Sequence, residues 1–388
     1  MIDRSAAQPL YRRAFLDWLA CALAGRNEPA AAAARAVGDG TTDRVAALAT
    51  AGHVLDFDDT YGPGLSHISA PTAPAALVVG ATTGASIGEV IDAYAAGFEA
   101  MAAVAAASHP ALYERGWHPT AVTGTIGAAT ATAAVLGFDE SQTRAGQQLA
   151  VLGAGGLRSA FGTDGKALQV GVAAAQGVRG ALLAGWGATA TDSIAAGFSA
   201  AYGGEWAEPG TTLAIEENWI KAFPCCLQTH AAIEAAAAAV QQGVDGEGSG
   251  VVTVHRRSRQ AAPLDDVATG LEAKFSIPYT VAFTVLHGAP DVAAFAGVDA
   301  AVRELASRIS IEIDDELRQS EAVLVWRRGP SASPIEIRVD AARGSPEHPL
   351  SDEQLAAKVR SLAGSRLEGV LDDPARPAAE ILGLVEEV

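Results

Sequence analysis

Period-two spacing of β-branched residues is confined to one part of this chain, and that confinement limits the folds open to it. It occurs in Val251-Val-Thr-Val-His255, Ile309-Ser-Ile-Glu-Ile313, Val323-Leu-Val-Trp326 and Ile335-Glu-Ile-Arg-Val339, and predicts strands there. Elsewhere apolar residues recur every three to four positions. Residues 10–36 read as helices with a stop at Gly25; further helical runs cover 74–107 (interrupted at Gly84 to Gly88), 119–136, 140–153, 166–187 and 229–241. Hydrophobic residues make up 49% of the chain but aromatics only 6%. Ala and Gly therefore supply much of the apolar count, which favours closely packed Ala-rich helices over a Val/Ile-rich sheet. A helix over Pro278 to His287 lies between the first two strands, and a capping box, Ser351-Asp-Glu-Gln354, restarts helix after them. The expected fold is mainly α with a smaller α+β domain. Its helical domain takes residues 1–221 and 346–388 from both chain ends, and its α+β domain takes 222–345.

The net charge is −18, which opposes binding to nucleic acid or to an anionic membrane. The basic run Arg256-Arg257-Ser258-Arg259 is too short to reverse that. Cys21, Cys225 and Cys226 are too sparse for a disulfide framework or a zinc site. The opening residues MIDRSAAQPLYRR lack the apolar run of a signal peptide. The long charge-free stretch from Gly116 to Phe138 contains His118 and small residues, and reads as a buried helix rather than a membrane span. The expected setting is reducing and cytoplasmic.

One segment stands apart from this apolar background. HVLDFDDTYGPGLSH places His53, Asp56, Asp58, Asp59, Thr60, Ser66 and His67 close together. Polar groups between apolar helices are costly to bury unless they are paired or used. The carboxylates and His67 include metal-ligand types. On a helix, however, Asp56 and Asp59 would face away from Asp58, and the spacing matches no EF-hand or zincin. No metal is expected.

Lysine usage adds a second signal. Of the 27 basic residues only Lys166, Lys221, Lys274 and Lys358 are lysines. The first three stand in apolar or uncharged surroundings, where a compact ammonium of adjustable pKa has a use that arginine does not share. His118 precedes Pro119 at a helix entrance, a place that tends to keep an imidazole neutral. His230 and Tyr279 read as structural on their own. Gly84-Ala-Ser-Ile-Gly88 matches a serine-hydrolase elbow around Ser86, and Gly153-Ala-Gly-Gly156 hints at a dinucleotide loop; neither has the strand context its chemistry needs.

Together these segments resemble the MmgE/PrpD family of 2-methylcitrate dehydratases, cis-aconitate decarboxylases and an iminodisuccinate epimerase. The resemblance rests on His53-Val-Leu-Asp-Phe-Asp-Asp-Thr60 with His67, Gly116-Trp-His-Pro-Thr120, Phe161-Gly-Thr-Asp-Gly-Lys166, Lys221-Ala-Phe-Pro-Cys-Cys226 with His230, and Ala273-Lys-Phe-Ser-Ile-Pro-Tyr279. It implies a large helical domain capped by an α+β lid, with the pocket between them, a homodimer, and no cofactor or metal. By that resemblance the catalytic set is Asp56, His67, His118, Lys166, Lys221 and Tyr279. Thr60, Lys166, Lys221, His230 and Lys274 would bind a small anionic carboxylate substrate.

Such groups suit abstraction of a proton next to a carboxylate, with His118 or Asp56 as base and His67 or Tyr279 as acid. Loss of water is the leading expected outcome, as in a 2-methylcitrate dehydratase. Decarboxylation and epimerisation share the first step, and a degenerate ligand-binding member is a further alternative. The sequence departs from the family pattern at Ile68, at His287-Gly288, in a longer loop before His67 and in a shorter segment between Gly25 and His53.

Overall fold

The computed structural model describes residues 4–329 and 333–386. The chain is mainly helical with a small mixed α/β part, and it divides into two compact units: Met1–Ile220 with Ser351–Val388, and Lys221–Leu350.

The first unit contains helices α1 (Gln8–Gly25), α2 (Pro29–Ala36), α3 (Thr41–Val54), α4 (Ser69–Thr83), α5 (Ile87–Ser108), α6 (Ala111–Glu114), α7 (Pro119–Val135), α8 (Glu140–Val151), α9 (Gly165–Gly185) and α10 (Ser193–Tyr202). Its scarce aromatics gather between α1 and α5, where Phe15 and Tyr94 meet edge to face at 5.4 Å and Tyr11 meets Phe98 at 6.0 Å. Helix α7 is buried on every side from Pro119 to Ala133, as befits a helix apolar all round.

Small residues let its neighbours close on it. A Cβ on Gly177 of α9 would lie 2.5 Å from the Ala128 Cβ of α7 and 2.6 Å from the Thr125 carbonyl oxygen, so nothing larger than glycine fits. Helices α5 and α9 are long and apolar enough to cross a membrane, and 72% and 56% of their most apolar windows are buried inside the fold.

Helix α3 ends at Val54, so Asp56, Asp58 and Asp59 do not lie on a helix, contrary to the helical geometry assumed from sequence. The break comes at Asp56, whose φ of 53° is left-handed. A two-stranded ribbon follows, with β1 (Thr60–Tyr61) antiparallel to β2 (Asn218–Trp219). Helix α4 then starts at Ser69, five positions earlier than Pro74, and carries that proline in its interior. The Gly84 to Gly88 segment is a helix junction: Gly84 caps α4 in a left-handed conformation, and Ser86 forms a capping box with Glu89 at the start of α5.

The second unit holds α11 (His230–Gln241), β3 (Ser249–Val254), α12 (Arg256–Ala261), α13 (Gly270–Ala273), α14 (Ile277–His287), α15 (Ala300–Ala306), β4 (Ile309–Ile313), β5 (Ala322–Arg327) and β6 (Ile335–Val339). Its strands form one sheet in the order β4-β3-β5-β6, with β3 and β4 parallel and the other pairs antiparallel. Val252 pairs with Ile311 on one side and Leu324 on the other. Val252, Val254, Leu324 and Trp326 are buried while Val251 and Thr253 are only partly so, the alternation of a sheet with one packed face. The basic run forms α12, where Arg256 and Arg259 pair with Asp315 and Asp265 at 2.9 and 2.7 Å. The chain then returns to the first unit through α16 (Asp352–Ala363), opened by the Ser351–Gln354 capping box, and α17 (Ala378–Glu386).

Candidate active site

Four segments of the helical unit deliver the polar cluster: the end of α3, the loop from Asp56 to His67, the start of α7 and the first turns of α9. His53, Asp56, Asp58, Thr60, His67, His118 and Lys166 are all buried. Lys166 donates to Asp56 Oδ1 at 2.8 Å, and His67 Nε2 lies 3.9 Å from the same oxygen. The Lys166 ammonium also stands 5.7 Å from the centre of the Phe161 ring. Thr120, in the first turn of α7, accepts the His67 backbone N–H at 3.0 Å, which ties the loop to that helix.

Asp58 organises the two imidazoles behind this pair. Its Oδ2 lies 2.8 Å from His53 Nδ1 and 3.3 Å from His67 Nδ1. Thr60 Oγ1 is 3.4 Å from the same His67 nitrogen. Burial alone would raise the Asp58 carboxyl, but its contacts with His53 and His67 outweigh that and hold it far below the usual carboxylate range. An ionised carboxylate only accepts, so both Nδ1 atoms donate to it. His67 thereby turns its Nε2 toward Asp56 Oδ1, 3.9 Å away. Burial pushes the His53 pKa down, opposed by Asp58. Asp58 thus pairs with two histidines.

Asp59 belongs to a separate network. It accepts from the Ser69 N–H at 3.3 Å, from the Ser69 hydroxyl and from Asn218 Nδ2 at 2.8 Å, while Ser69 Oγ lies 2.6 Å from the Tyr94 hydroxyl. Burial raises its pKa to about 7.

His118 caps α7, and its backbone N–H donates to the Gly156 carbonyl at 3.0 Å. Its ring stacks 6.1 Å from His53 and meets Phe161 edge-on at 4.9 Å. Burial, with nearby His53 and Lys166, holds it neutral by driving its pKa well below the ordinary value. The Gly153 to Gly156 loop thus serves this histidine rather than a dinucleotide.

A buried cluster of Lys166, two carboxylates and three imidazoles is therefore built within one unit, and matches to known proteins can be set beside it. The pattern of the MmgE/PrpD N-terminal domain matches residues 44–206, and that of the MmgE/PrpD C-terminal domain matches residues 223–377. The chain belongs to the MmgE/PrpD family. Curated relatives include cis-aconitate decarboxylase of Homo sapiens, 26% identical over 345 residues and covering 81% of this chain and 71% of that one. The Mus musculus cis-aconitate decarboxylase is 27% identical over 354 residues, covering 81% and 70%. These MmgE/PrpD relatives support a lyase in general terms.

The remaining sequence-derived candidates lie in the second unit. Lys221 is fully buried and Lys274 nearly so, its ammonium 5.6 Å from the centre of the Phe295 ring. The Lys274 carbonyl accepts the Cys226 N–H at 2.9 Å. His230 opens α11 and meets Phe223 edge-on at 5.1 Å. The Tyr279 hydroxyl accepts the Asp299 backbone N–H at 3.0 Å, and burial raises its pKa.

Among the described residues one set could hold a metal ion: His53, Asp58 and His67, whose ligand atoms all lie within 4.8 Å of one another. The direct contacts of Asp58 with both rings account for that closeness. Sequence reasoning did not assign roles to His53 or Gln169. No spacing rule signals either: the chain leaves α3 at Val54 before the aspartates, and Gln169 of α9 meets His118 from another segment.

Proposed function

We propose that this chain is a lyase acting on a small di- or tricarboxylic acid through proton transfer at the carbon next to a carboxylate. The observation that carries this reading is the Lys166–Asp56 contact at 2.8 Å beside His67, whose Nδ1 is engaged by ionised Asp58. Lys166 supplies a buried cation for a substrate carboxylate, and Asp56 aims that cation. His67 Nε2 takes the proton as base, while Asp58 stabilises the imidazolium that forms. The electron pair of the broken C–H bond forms a C=C bond as the neighbouring C–O bond breaks, and the hydroxyl leaves as water after gaining a proton. Lys221 and Lys274 are proposed as further carboxylate-binding cations, Thr60 and His230 as polar contacts to substrate, and Tyr279 as an acid. Every step uses side chains of the chain itself.

The decarboxylase relatives favour a second outcome on the same substrate class. There the C–C bond to a carboxylate breaks, carbon dioxide leaves, and the carbon takes a proton from protonated His67. The chain is further proposed to act as a cytoplasmic homodimer, which the mass in light scattering would test. Incubation with a panel of hydroxy-, unsaturated and amino polycarboxylates in deuterated buffer, followed by NMR, reads proton exchange, water loss, carbon dioxide loss and epimerisation together. Exchange with none of them would overturn the lyase reading in favour of a ligand-binding role.

A further inference from the structure

The side chain of Gln169 carries information about His118 that the histidine's own surroundings do not. The Gly116–His118 and Gly156–Arg158 segments run side by side: His118 N–H donates to Gly156 O and Arg158 N–H to Gly116 O, each at 3.0 Å, and Trp117 and Leu157 form an antiparallel bridge. Gln169 reaches onto this pair from α9. Its Oε1 accepts the Leu157 N–H at 2.8 Å, and its Nε2 lies 3.2 Å from the Leu157 carbonyl oxygen and 2.6 Å from His118 Nδ1.

The two bonds to Leu157 orient the amide. Turned over, it would set oxygen against the Leu157 carbonyl and NH₂ against the Leu157 N–H, two repulsive contacts. Gly156 leaves room for this arrangement: its φ is +117°, and a Cβ there would stand 3.1 Å from Gln169 Oε1. With one amide hydrogen on Leu157 O, the other points at His118 Nδ1, which must present a lone pair. The ring proton then sits on Nε2, an atom that is buried with no hydrogen-bond partner among the described residues.

We propose that Gln169 is a positioning residue that fixes His118 as the Nε2-protonated tautomer, so that His118 donates a hydrogen bond to substrate and is not the base. This rests on the lyase reading for its chemistry, though not for its geometry. His67 and His118 become complementary in the proposed reaction: Asp58 accepts from the Nδ1–H of His67, so that Nε2 is the atom that takes the proton, while Gln169 donates to Nδ1 of His118, so that Nε2 keeps its proton. In the elimination above, the His118 Nε2–H donates a hydrogen bond that stabilises charge growing on the substrate carboxylate, while the departing hydroxyl takes its proton from the proposed acid, Tyr279. The low pKa of His118 accords with this, because an imidazolium would set an Nδ1–H against the Gln169 amide.

The test begins without substrate. Long-range ¹H–¹⁵N spectra of ¹⁵N-histidine-labelled protein, assigned with a His118→Asn variant, should show His118 Nε2 protonated and Nδ1 bare through the neutral range. Protonation at Nδ1 overturns the proposal. In Gln169→Glu the carboxylate must accept from Nδ1, so the ring proton moves there and the His118 titration rises into the neutral range.

Turnover by that variant should fall roughly 100-fold or more, in kcat rather than KM. Unchanged ring protonation and unchanged kcat would also overturn the proposal. Gln169→Leu serves as a second variant should Gln169→Glu not fold; it should show both His118 tautomers, and retention of the single Nε2–H form counts against Gln169. If the tautomer is as stated but no polycarboxylate reacts, it is the lyase reading that fails.

Discussion

Lys358 of α16 donates to the Phe57 carbonyl at 2.7 Å while its ammonium rests 4.0 Å from the centre of the same residue's ring. It also pairs with buried Asp17 at 2.6 Å. A helix from the C-terminal segment thereby grips the backbone next to Asp56. Lys358→Met deprives Asp17 of this ammonium and frees the Phe57 carbonyl. Breaking a buried pair from one side costs about 3–5 kcal/mol, so a large fall in unfolding free energy is expected in urea titration. A loss under about 1 kcal/mol, the range of an exposed pair, would show that the contact is ornamental.

Asp58→Asn keeps the shape of the Asp58 side chain but removes its charge. The His67 imidazolium then loses its stabilising partner, and kcat should fall by roughly 100-fold or more with KM little changed. Substrate α-proton exchange should fall in parallel, as it should in His67→Asn. Undiminished exchange in both variants would remove His67 from the role of base.

Lys166→Met tests binding rather than proton transfer. Loss of one charge-assisted hydrogen bond, about 1.5–3 kcal/mol, should raise KM roughly 10- to 100-fold. Lys166→Arg should recover little, because a planar fork replaces a point charge against Asp56. A collapse of kcat at unchanged KM would place Lys166 in the chemistry instead.

Asp59 makes a pH dependence of defined sign. Its folded pKa of about 7 lies above the ordinary 3.8, so folding favours the protonated form. The stability it contributes is full below the unfolded value and is lost as pH rises through about 7. Asp58, held low by its histidines, acts in the opposite sense and only under more acidic conditions. Asp59→Asn should therefore gain in relative Tm between about pH 5 and about pH 8. Parallel Tm curves for variant and wild type would refute the shift.

Chelation provides a control on His53, Asp58 and His67. Because Asp58 already engages both rings, dialysis against EDTA should leave turnover unchanged. Activity lost on dialysis and restored by a divalent ion would reassign the cluster.

Much of the fold was legible because periodicity is local. The alternating strands, the Ser351 capping box and the helix stop at Gly25 depend on residues within a few positions of each other. The start of α4 was not legible, since packing overrides the preference of Pro74 for a helix end. Lysine scarcity proved informative in a physical sense: Lys166, Lys221, Lys274 and Lys358 are all buried. Lys358 carries no local mark of this, since its partners Asp17 and Phe57 lie hundreds of residues away. The relation of Asp58 to the histidines depended on abandoning the helix at Val54, and the Gln169–His118 contact on a loop meeting a helix start; neither is a spacing rule.

Asp56 combines two demands that pull apart. Its φ of 53° belongs to a region that glycine enters freely and aspartate only with strain, yet its carboxylate is what holds Lys166. Asp56→Gly relieves about 1–2 kcal/mol of that strain but takes the paired carboxylate from the buried Lys166 ammonium, a loss of about 3–5 kcal/mol, so the variant should be less stable than the parent. The left-handed backbone at this position persists because the ammonium across from it offsets its cost.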